Sequence, residues 1–391
     1  LLPMVFRKED GQAHGAMLTE ILSAPYDLGE RTVRLSASAG IGFYEDADEK
    51  AADIVRKADS ALYQARRRGS GRTIVHSREL EEAARKQTLI EQALRRAVSA
   101  GEVEPFFQPI VDLKTGETIG FECLARWTDK DLGFVSPAVF IPIAEETGII
   151  ESLTQLLLHK AALAARGWPR HLFLSFNLSP VQLEDRNTGK RVLTLLESVN
   201  FDPHRLEIEI TETGVMTDPA TAEAIVTDLR NAGVRVSLDD FGTGQSSLGR
   251  LREFKFDKLK IDRAFISSLL NDRPSEHIVK AILAMCDGLG ISTIAEGIEE
   301  KGQAERLIEY GCTGGQGYYY GKPVDADGHL LRRDVRRRHF GDPDPHARHP
   351  FRRGDGPRRA GGRPGRDRAR RRGRGPGALA ARDRRRIRQG A

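Results

Sequence analysis

The stretch "SLDDFGTG", Ser237 to Gly244, sets two carboxylates, Asp239 and Asp240, side by side where an apolar run ends and a glycine-rich turn begins. Successive strand residues face opposite sides, so a dry core could not take both acids. Asp and Gly also punctuate ordinary turns, and these eight residues alone leave a turn and a chemical site equally open. The chemistry would be that of a metal pair. One carboxylate bridges two ions and its neighbour holds the second. Two ions about 3.5–4 Å apart can polarise a phosphoryl group, activate a water and stabilise a leaving alkoxide.

The same parity reading runs along the other apolar segments. In "LFLSFN", Leu172, Leu174 and Phe176 share one face, and Phe173, Ser175 and Asn177 the other. In "LEIEIT", Leu206, Ile208 and Ile210 alternate with Glu207, Glu209 and Thr211. In "VRVSLDD", Val234, Val236 and Leu238 oppose Ser237 and Asp239. Glu122 in "IGFECLARW", Lys260 in "DKLKID" and Glu296 in "STIAEG" are placed likewise. Six strands thus each bring a polar group toward one end: Glu122, Asn177, Glu209, Asp239, Lys260 and Glu296. Four of these are carboxylates besides Asp240, and their mutual repulsion calls for cations among them. Oxygen donors from Glu122, Asn177, Glu209, Asp239, Asp240 and Glu296, with no His or Cys, suit Mg²⁺ or Mn²⁺ better than Zn²⁺.

Strands and helices must alternate to hold these groups in place. Eight strand candidates lie between residues 101 and 330: "PFFQPIVDL", "IGFECLARW", "LFLSFNLS", "LEIEIT", "VRVSLDDF", "FDKLKID", "ISTIAEGI" and "GQGYYYG". Amphipathic stretches such as "SPAVFIPIAEETGIIESLTQLLLHKAALAA" and "PSEHIVKAILAMCDGLG" fall between most of them. Ser179 before Pro180 marks a helix start. This is the size and rhythm of an α/β TIM-like (β/α)8 barrel. An open doubly wound sheet usually carries a Gly-rich phosphate loop after its first strand, and none is present. Barrel strands pack their apolar face on the helices, so the polar set points to the axis at the C-terminal mouth, where such barrels do chemistry.

The chain has 391 residues and a net charge of +5, which hides a split. Residues 331–391 hold 22 Arg and six Asp with no Lys or Glu, a charge of +16, so residues 1–330 carry −11. An acidic body argues against a nucleic-acid surface, a local basic groove aside, and no specific nucleic acid is expected as a partner. The Arg/Gly/Pro-rich tail has too little apolar content to order itself and is expected to be disordered. Cys123, Cys286 and Cys312 form no CxxC and read as free thiols of a cytoplasmic protein. No apolar run is long enough for a membrane segment. The first residue is Leu1 rather than Met, so a missing upstream part is expected, with room in it for a sensor or membrane anchor. Residues 81–100 read as a linker helix.

Two resemblances organise the rest. In residues 1–80, "SASAGIG", "ADSALYQARRRG" and "RTIVHS" resemble the C-terminal half of a GGDEF (diguanylate cyclase) domain. The signature motif that names that family is absent, so no cyclase activity is expected. The half-sheet left over should expose an unpaired edge.

Residues from about 90 to 330 resemble the EAL domain, the cyclic-di-GMP-specific phosphodiesterase family. The match is carried by "FQPIVD", "ECLAR", "FNLSP", "EIEITET", "LDDFGTGQSSL", "LKIDRAFI", "IAEGIEE" and "GQGYYYGKP". Cys123 stands where the family usually has Ala, and Thr313, Gly314 and Gly315 where an acid is more usual. The resemblance implies hydrolysis of cyclic di-GMP to linear pGpG with two Mg²⁺ or Mn²⁺ ions. Glu122, Asn177, Glu209 and Asp239 would hold the first ion, and Asp239, Asp240 and Glu296 the second. Lys260 would hold the attacking water. Gln108, Arg126 and Gln316 would contact substrate, Arg126 being suited to a phosphate. Glu212 and Glu299 would steady the "DFGTGQSS" loop, and Asp262 would orient Lys260. A homodimer through EAL domains is a family expectation. The alternative is a catalytically inactive cyclic-di-GMP receptor, and such members usually lack a metal-binding acid.

Overall fold

A computed structural model describes residues 7–326, apart from 30, 45–48, 68, 70 and 242–253. The expectations for the tail from 331, and for the loop after Phe241, lie outside the described residues. No described helix is long and apolar enough to cross a membrane.

The N-terminal segment opens with α1 (Lys8–Leu22), and the short antiparallel pair β1 (Tyr26–Asp27) and β2 (Thr32–Val33) comes next. The alternating stretch "TVRLSASAGIGFY", Thr32 to Tyr44, has the period of a single strand but does not form one. It breaks into β2 and β3 (Ala39–Ile41), and β3 pairs in parallel with β4 (Thr73–Val75). Helix α2 (Ala51–Arg67) lies directly on β3: a Cβ on Gly40 would meet Ala58 O and Leu62 N at 2.2 Å. Gly11 and Gly15 let α1 approach Phe43, Ile41 and Thr73 on the other side. Met17, Leu18, Ile21 and Leu22 of α1 remain exposed.

Helix α3 (Arg78–Ala100) leads into the barrel. Ser77 caps it by accepting from Leu80 N, and Gly101 ends it at φ +72°, a left-handed geometry that glycine adopts without strain. Nine further strands follow among the described residues: β5 (Glu104–Asp112), β6 (Thr118–Asp129), β7 (Gly133–Val135), β8 (Phe173–Asn177), β9 (Leu206–Thr211), β10 (Arg235–Phe241), β11 (Lys258–Ile261), β12 (Ser292–Ala295) and β13 (Gly314–Gln316). The order β5-β13-β12-β11-β10-β9-β8-β6 closes through β5–β6 into an eight-stranded barrel, and β7 is a hairpin arm on β6.

All eight expected strands are in the barrel, with three differences. Strand β5 runs antiparallel to both neighbours, β6 and β13. Only five residues separate β5 from β6. They form a turn in which Asp112 accepts from Lys114 N and Thr115 N, too short for a crossover helix. The last strand ends at Gln316, and the three tyrosines after Gly317 form a turn. The long apolar stretch after β7 divides into α4 (Pro137–Glu146) and α5 (Ile150–Arg166), broken at Gly148 with φ +72°.

Among the described residues the further helices are α6 (Thr188–Ser198), α7 (Glu212–Thr217), α8 (Pro219–Asn231), α9 (Arg263–Ser267), α10 (Arg273–Leu289) and α11 (Lys301–Glu309). Ser179 does act as an N-cap, but the element it caps, Pro180–Glu184, is a 3₁₀ turn closed by a capping box with Gln182.

The strand parity separates two apolar clusters. Leu174, Phe176, Ile208, Ile210, Val236, Leu238, Leu259 and Ile261 face outward into the large core shared with the helices. Ile110, Phe173 and Ile294 form a separate cluster. They share parity with Gln108, Asn177 and Glu296, so they fill the barrel interior below the polar groups.

Candidate active site

The polar residues of six strands meet around one ammonium. Lys260, on β11, has no exposed surface. Its Nζ lies 2.8 Å from Glu209 Oε2 (β9), 2.5 Å from Glu296 Oε1 (just after β12), 3.7 Å from Glu122 Oε1 (β6) and 3.7 Å from Asp239 Oδ1 (β10). Asn177 Nδ2 donates to Glu122 Oε1 at 2.8 Å. Glu122, Asn177, Glu209, Asp239, Lys260 and Glu296 thus come together as their strand positions predict.

Asp240 answers why two acids stand in a row. The β10–β11 register shifts between Leu238 and Phe241, and Asp240 takes a left-handed conformation, φ +55°. Asp tolerates that region better than most residues. Its backbone N–H donates to Asp239 Oδ1 at 2.9 Å, and Phe241 returns to the core. The kink lets Asp240 stay near the acid cluster instead of turning into the helical layer. Burial, then Asp239 and Asp262, push its carboxyl above the ordinary range.

Two expected substrate residues join the cluster directly. Gln316 Nε2 donates to Glu122 Oε2 at 2.5 Å and to Gln108 Oε1 at 3.1 Å, and Gln108 Nε2 donates to Gly321 O at 3.1 Å. Gln316 Oε1 has no hydrogen-bond partner among the described residues although it is buried. Arg126 lies further along β6 toward the rim. It donates to Ala125 O at 2.8 Å, with its guanidinium 5.8 Å from the Phe106 ring centre.

The outlying three are placed differently. Asp262, expected to orient Lys260, accepts from Ala264 N at 2.8 Å and caps α9. Glu299 pairs with Arg263 at 2.7 Å. Glu212 is the first residue of α7, directly after β9. The loop that Glu212 and Glu299 are expected to steady lies outside the described residues.

The electrostatics show an excess of negative charge. Burial would push the Glu122 carboxyl up, but the Lys260 ammonium and donors from Gln316 and Asn177 hold it below its usual value. Glu209 is raised well above it by burial, which Lys260 only partly offsets, with Glu122 and Asp239 adding repulsion. Glu296 is pushed up to about 8 by burial against the attraction of Lys260, with Asp239 and Glu122 adding to the rise. Lys260 is raised well above the ordinary lysine range, since four carboxylates outweigh its burial.

Among the described residues, no three acid, His or Cys side chains already form a metal cage; the carboxylates close on the lysine instead. The donor set nevertheless fits divalent ions. Four carboxylates surround one ammonium, with Asp240 and the Asn177 amide beside them, so hard oxygen donors are in excess. Burial and mutual repulsion hold Glu209, Asp240 and Glu296 toward their protonated form.

Several participants carry no motif of their own in the sequence. Ser175 Oγ donates to Glu209 Oε1 at 2.7 Å. Glu207 has no exposed surface and sits one strand step below Glu209, 2.5 Å from Lys258 Nζ and 3.3 Å from Arg235 Nε. Lys258 and Arg235 lie 3.8 and 4.9 Å from the Phe173 ring centre. The available signal was parity: both Ser175 and Glu207 alternate with outward apolar residues.

Comparison with known proteins agrees with this architecture. The EAL domain model matches residues 91–323, and the model described as diguanylate cyclase, GGDEF domain, matches residues 7–72. The cyclic di-GMP phosphodiesterase RocR of Pseudomonas aeruginosa is 33% identical over 317 residues, 79% of this chain and 78% of RocR. The bifunctional diguanylate cyclase/cyclic di-GMP phosphodiesterase MucR of the same organism is 33% identical over 314 residues, 79% of this chain. The chain spans 46% of the length of MucR and 37% of that of a Sinorhizobium fredii relative. The solved structure of the MucR phosphodiesterase in complex with c-di-GMP is 34% identical with a TM-score of 0.59, covering 61% of this chain and 98% of that one. A barrel closed in this order, its acids gathered at the strand ends, and a domain match over most of its length make the chain a member of the EAL-domain family, preceded by part of a GGDEF domain.

Proposed function

We propose that this protein hydrolyses one phosphodiester of cyclic di-GMP, giving linear pGpG, and does so with two Mg²⁺ or Mn²⁺ ions. The observation that carries this is the gathering of Glu122, Glu209, Asp239, Asp240 and Glu296 with Asn177 around Lys260 at one barrel mouth. The relatives named for cyclic di-GMP phosphodiesterase activity supply the substrate class. Glu122, Asn177, Glu209 and Asp239 would hold one ion and Asp239, Asp240 and Glu296 the other. Bound there, the ions would polarise the scissile phosphate and make a water more acidic.

The protein's own groups do the rest. Gln316 keeps Glu122 oriented and offers its unpartnered Oε1 to a guanine N–H. Arg126, at the rim, provides a fork of donors for the second phosphate. Lys260, permanently charged among the acids, holds the attacking water by its Nζ. The water oxygen bonds to phosphorus, the bond to one ribose 3′-oxygen breaks, and that oxygen leaves with a proton. The three cysteines are free and buried, which suits a cytoplasmic setting. Pairing of two EAL domains into a homodimer belongs to the same proposal.

The test is turnover by the full chain with Mn²⁺ or Mg²⁺, with the products separated by chromatography. The expected product is pGpG, lost in Glu122→Ala and Asp239→Asn. Tight nucleotide binding with no turnover in either metal would instead make the protein a receptor.

A further inference from the structure

We propose that Ser175 is a positioning residue for Glu209, and through it sets the affinity for the first metal ion. The inference rests on the metal site proposed above. Glu209 and Ser175 both have no exposed surface, so neither can draw on solvent for a hydrogen-bond partner. The carboxylate is held from two sides: Ser175 Oγ donates to Oε1 at 2.7 Å, and Lys260 Nζ to Oε2 at 2.8 Å.

The hydroxyl reaches Glu209 from the neighbouring strand. β8 and β9 pair in parallel with Asn177 opposite Glu209 and Ser175 opposite Glu207, so Ser175 lies one step below the acid it holds. Beneath this step the interior is occupied. Ile110, Phe173 and Ile294 fill it, and Glu207 is fixed by Lys258 and Arg235. Glu209 therefore cannot relax downward when an ion binds above it. Its two oxygens are presented by one neutral donor and one charged donor that also contacts Glu296.

When Lys260 adjusts to a bound ion, Ser175 is the contact that keeps the Glu209 plane fixed. A group that hydrogen-bonds a metal-ligating carboxylate in this way is worth about 10- to 100-fold in metal affinity.

The experiment is calorimetric titration of the full-length metal-free chain with Mn²⁺, with turnover of cyclic di-GMP measured in parallel. Ser175→Ala should weaken Mn²⁺ binding at least about tenfold, and the Mn²⁺ concentration that gives half-maximal turnover should rise by a similar factor. Ser175→Cys keeps the side-chain shape at a somewhat larger volume and loses the strong donor, so it should show the same defect. In a Glu209→Gln background, adding Ser175→Ala should cause no further loss, because the hydroxyl acts through that carboxylate. Unchanged Mn²⁺ affinity in Ser175→Ala would overturn the proposal while leaving the metal site intact. An equal loss in both backgrounds would also overturn it, by assigning the effect to general packing. A wild-type chain that takes up no Mn²⁺ would overturn the metal site, and this proposal with it.

Discussion

Lys260 and the acids around it form a balance that neither side can hold alone. A fully buried ammonium is tolerable because four carboxylates lie within 3.7 Å, and Glu122 depends on it in turn. Replacing it by Met would remove the cation that holds the buried Glu122 below its usual value. Loss of one partner from a buried ionic cluster typically costs about 3–5 kcal/mol, so metal-free Lys260→Met should unfold at markedly lower denaturant than wild type. Added Mn²⁺ should return part of that loss by restoring positive charge, while turnover stays absent. A metal-free variant as stable as wild type would mean that the acids are protonated and the ion pairs carry no weight. At this scale much is legible in the sequence, because period-two alternation assigns each strand residue to one face whatever the tertiary context. Asn177, Glu209 and Asp239 can be placed by counting. Asp240 cannot, since its proximity depends on a left-handed kink and a register shift that alternation does not encode. Asp262 has a second reading that the sequence also offers: a strand-end Asp two residues before a helical N–H caps that helix.

Among the elements, the contact between β6 and β8 leaves no room for a methyl group on Gly120. Gly120 faces the barrel interior, and a Cβ there would stand 2.7 Å from the Phe173 ring atoms. Phe173 cannot move away freely, because Lys258 and Arg235 lie over it. Gly120→Ala should therefore destabilise by about 1–3 kcal/mol through overpacking, read as a lower midpoint in urea. Adding Phe173→Leu should recover part of the loss by making room. A midpoint unchanged by Gly120→Ala would show that β6 and β8 separate more easily than the close packing implies. The antiparallel start of the barrel is also available in the sequence, since the few residues between its first two strands cannot carry a crossover. A strict strand–helix alternation obscures it. The division of the long helix at Gly148 has a visible cue in the glycine itself, whereas the end of β13 at Gln316 does not. The aromatic run after Gly317 has strand-like composition, yet Gly317 lets the backbone approach Ile298 so closely that a Cβ would lie 2.1 Å from its carbonyl oxygen.

For the molecule as a whole, the acid mouth couples folding to pH and to metal in opposite directions. Without metal, Glu296 titrates at about 8, and Glu209 also lies well above its ordinary value. An unfolded glutamate titrates near 4.5, so between these limits the folded state binds more protons than the unfolded one. Linkage then makes stability fall as pH rises through that window. The contribution is fully present below about pH 4.5 and lost by the time pH passes the folded value. Lys260, raised above the usual lysine range, stays charged throughout and leaves the slope unchanged. A divalent ion reverses the sign for the acids it binds, because it competes with the proton and holds the carboxylates ionised. Chelator-treated protein should therefore melt lower at about pH 8.5 than at about pH 6, by something on the order of 5 °C for a domain of this size. The same protein in millimolar Mn²⁺ should melt higher than its metal-free form, and the gap should widen with pH. Differential scanning calorimetry at both pH values, with and without Mn²⁺, measures each of these quantities. A gap that stayed constant across that pH range would mean that ion uptake displaces no protons from Glu209 and Glu296, and that the negative charge at the mouth is balanced by something other than metal.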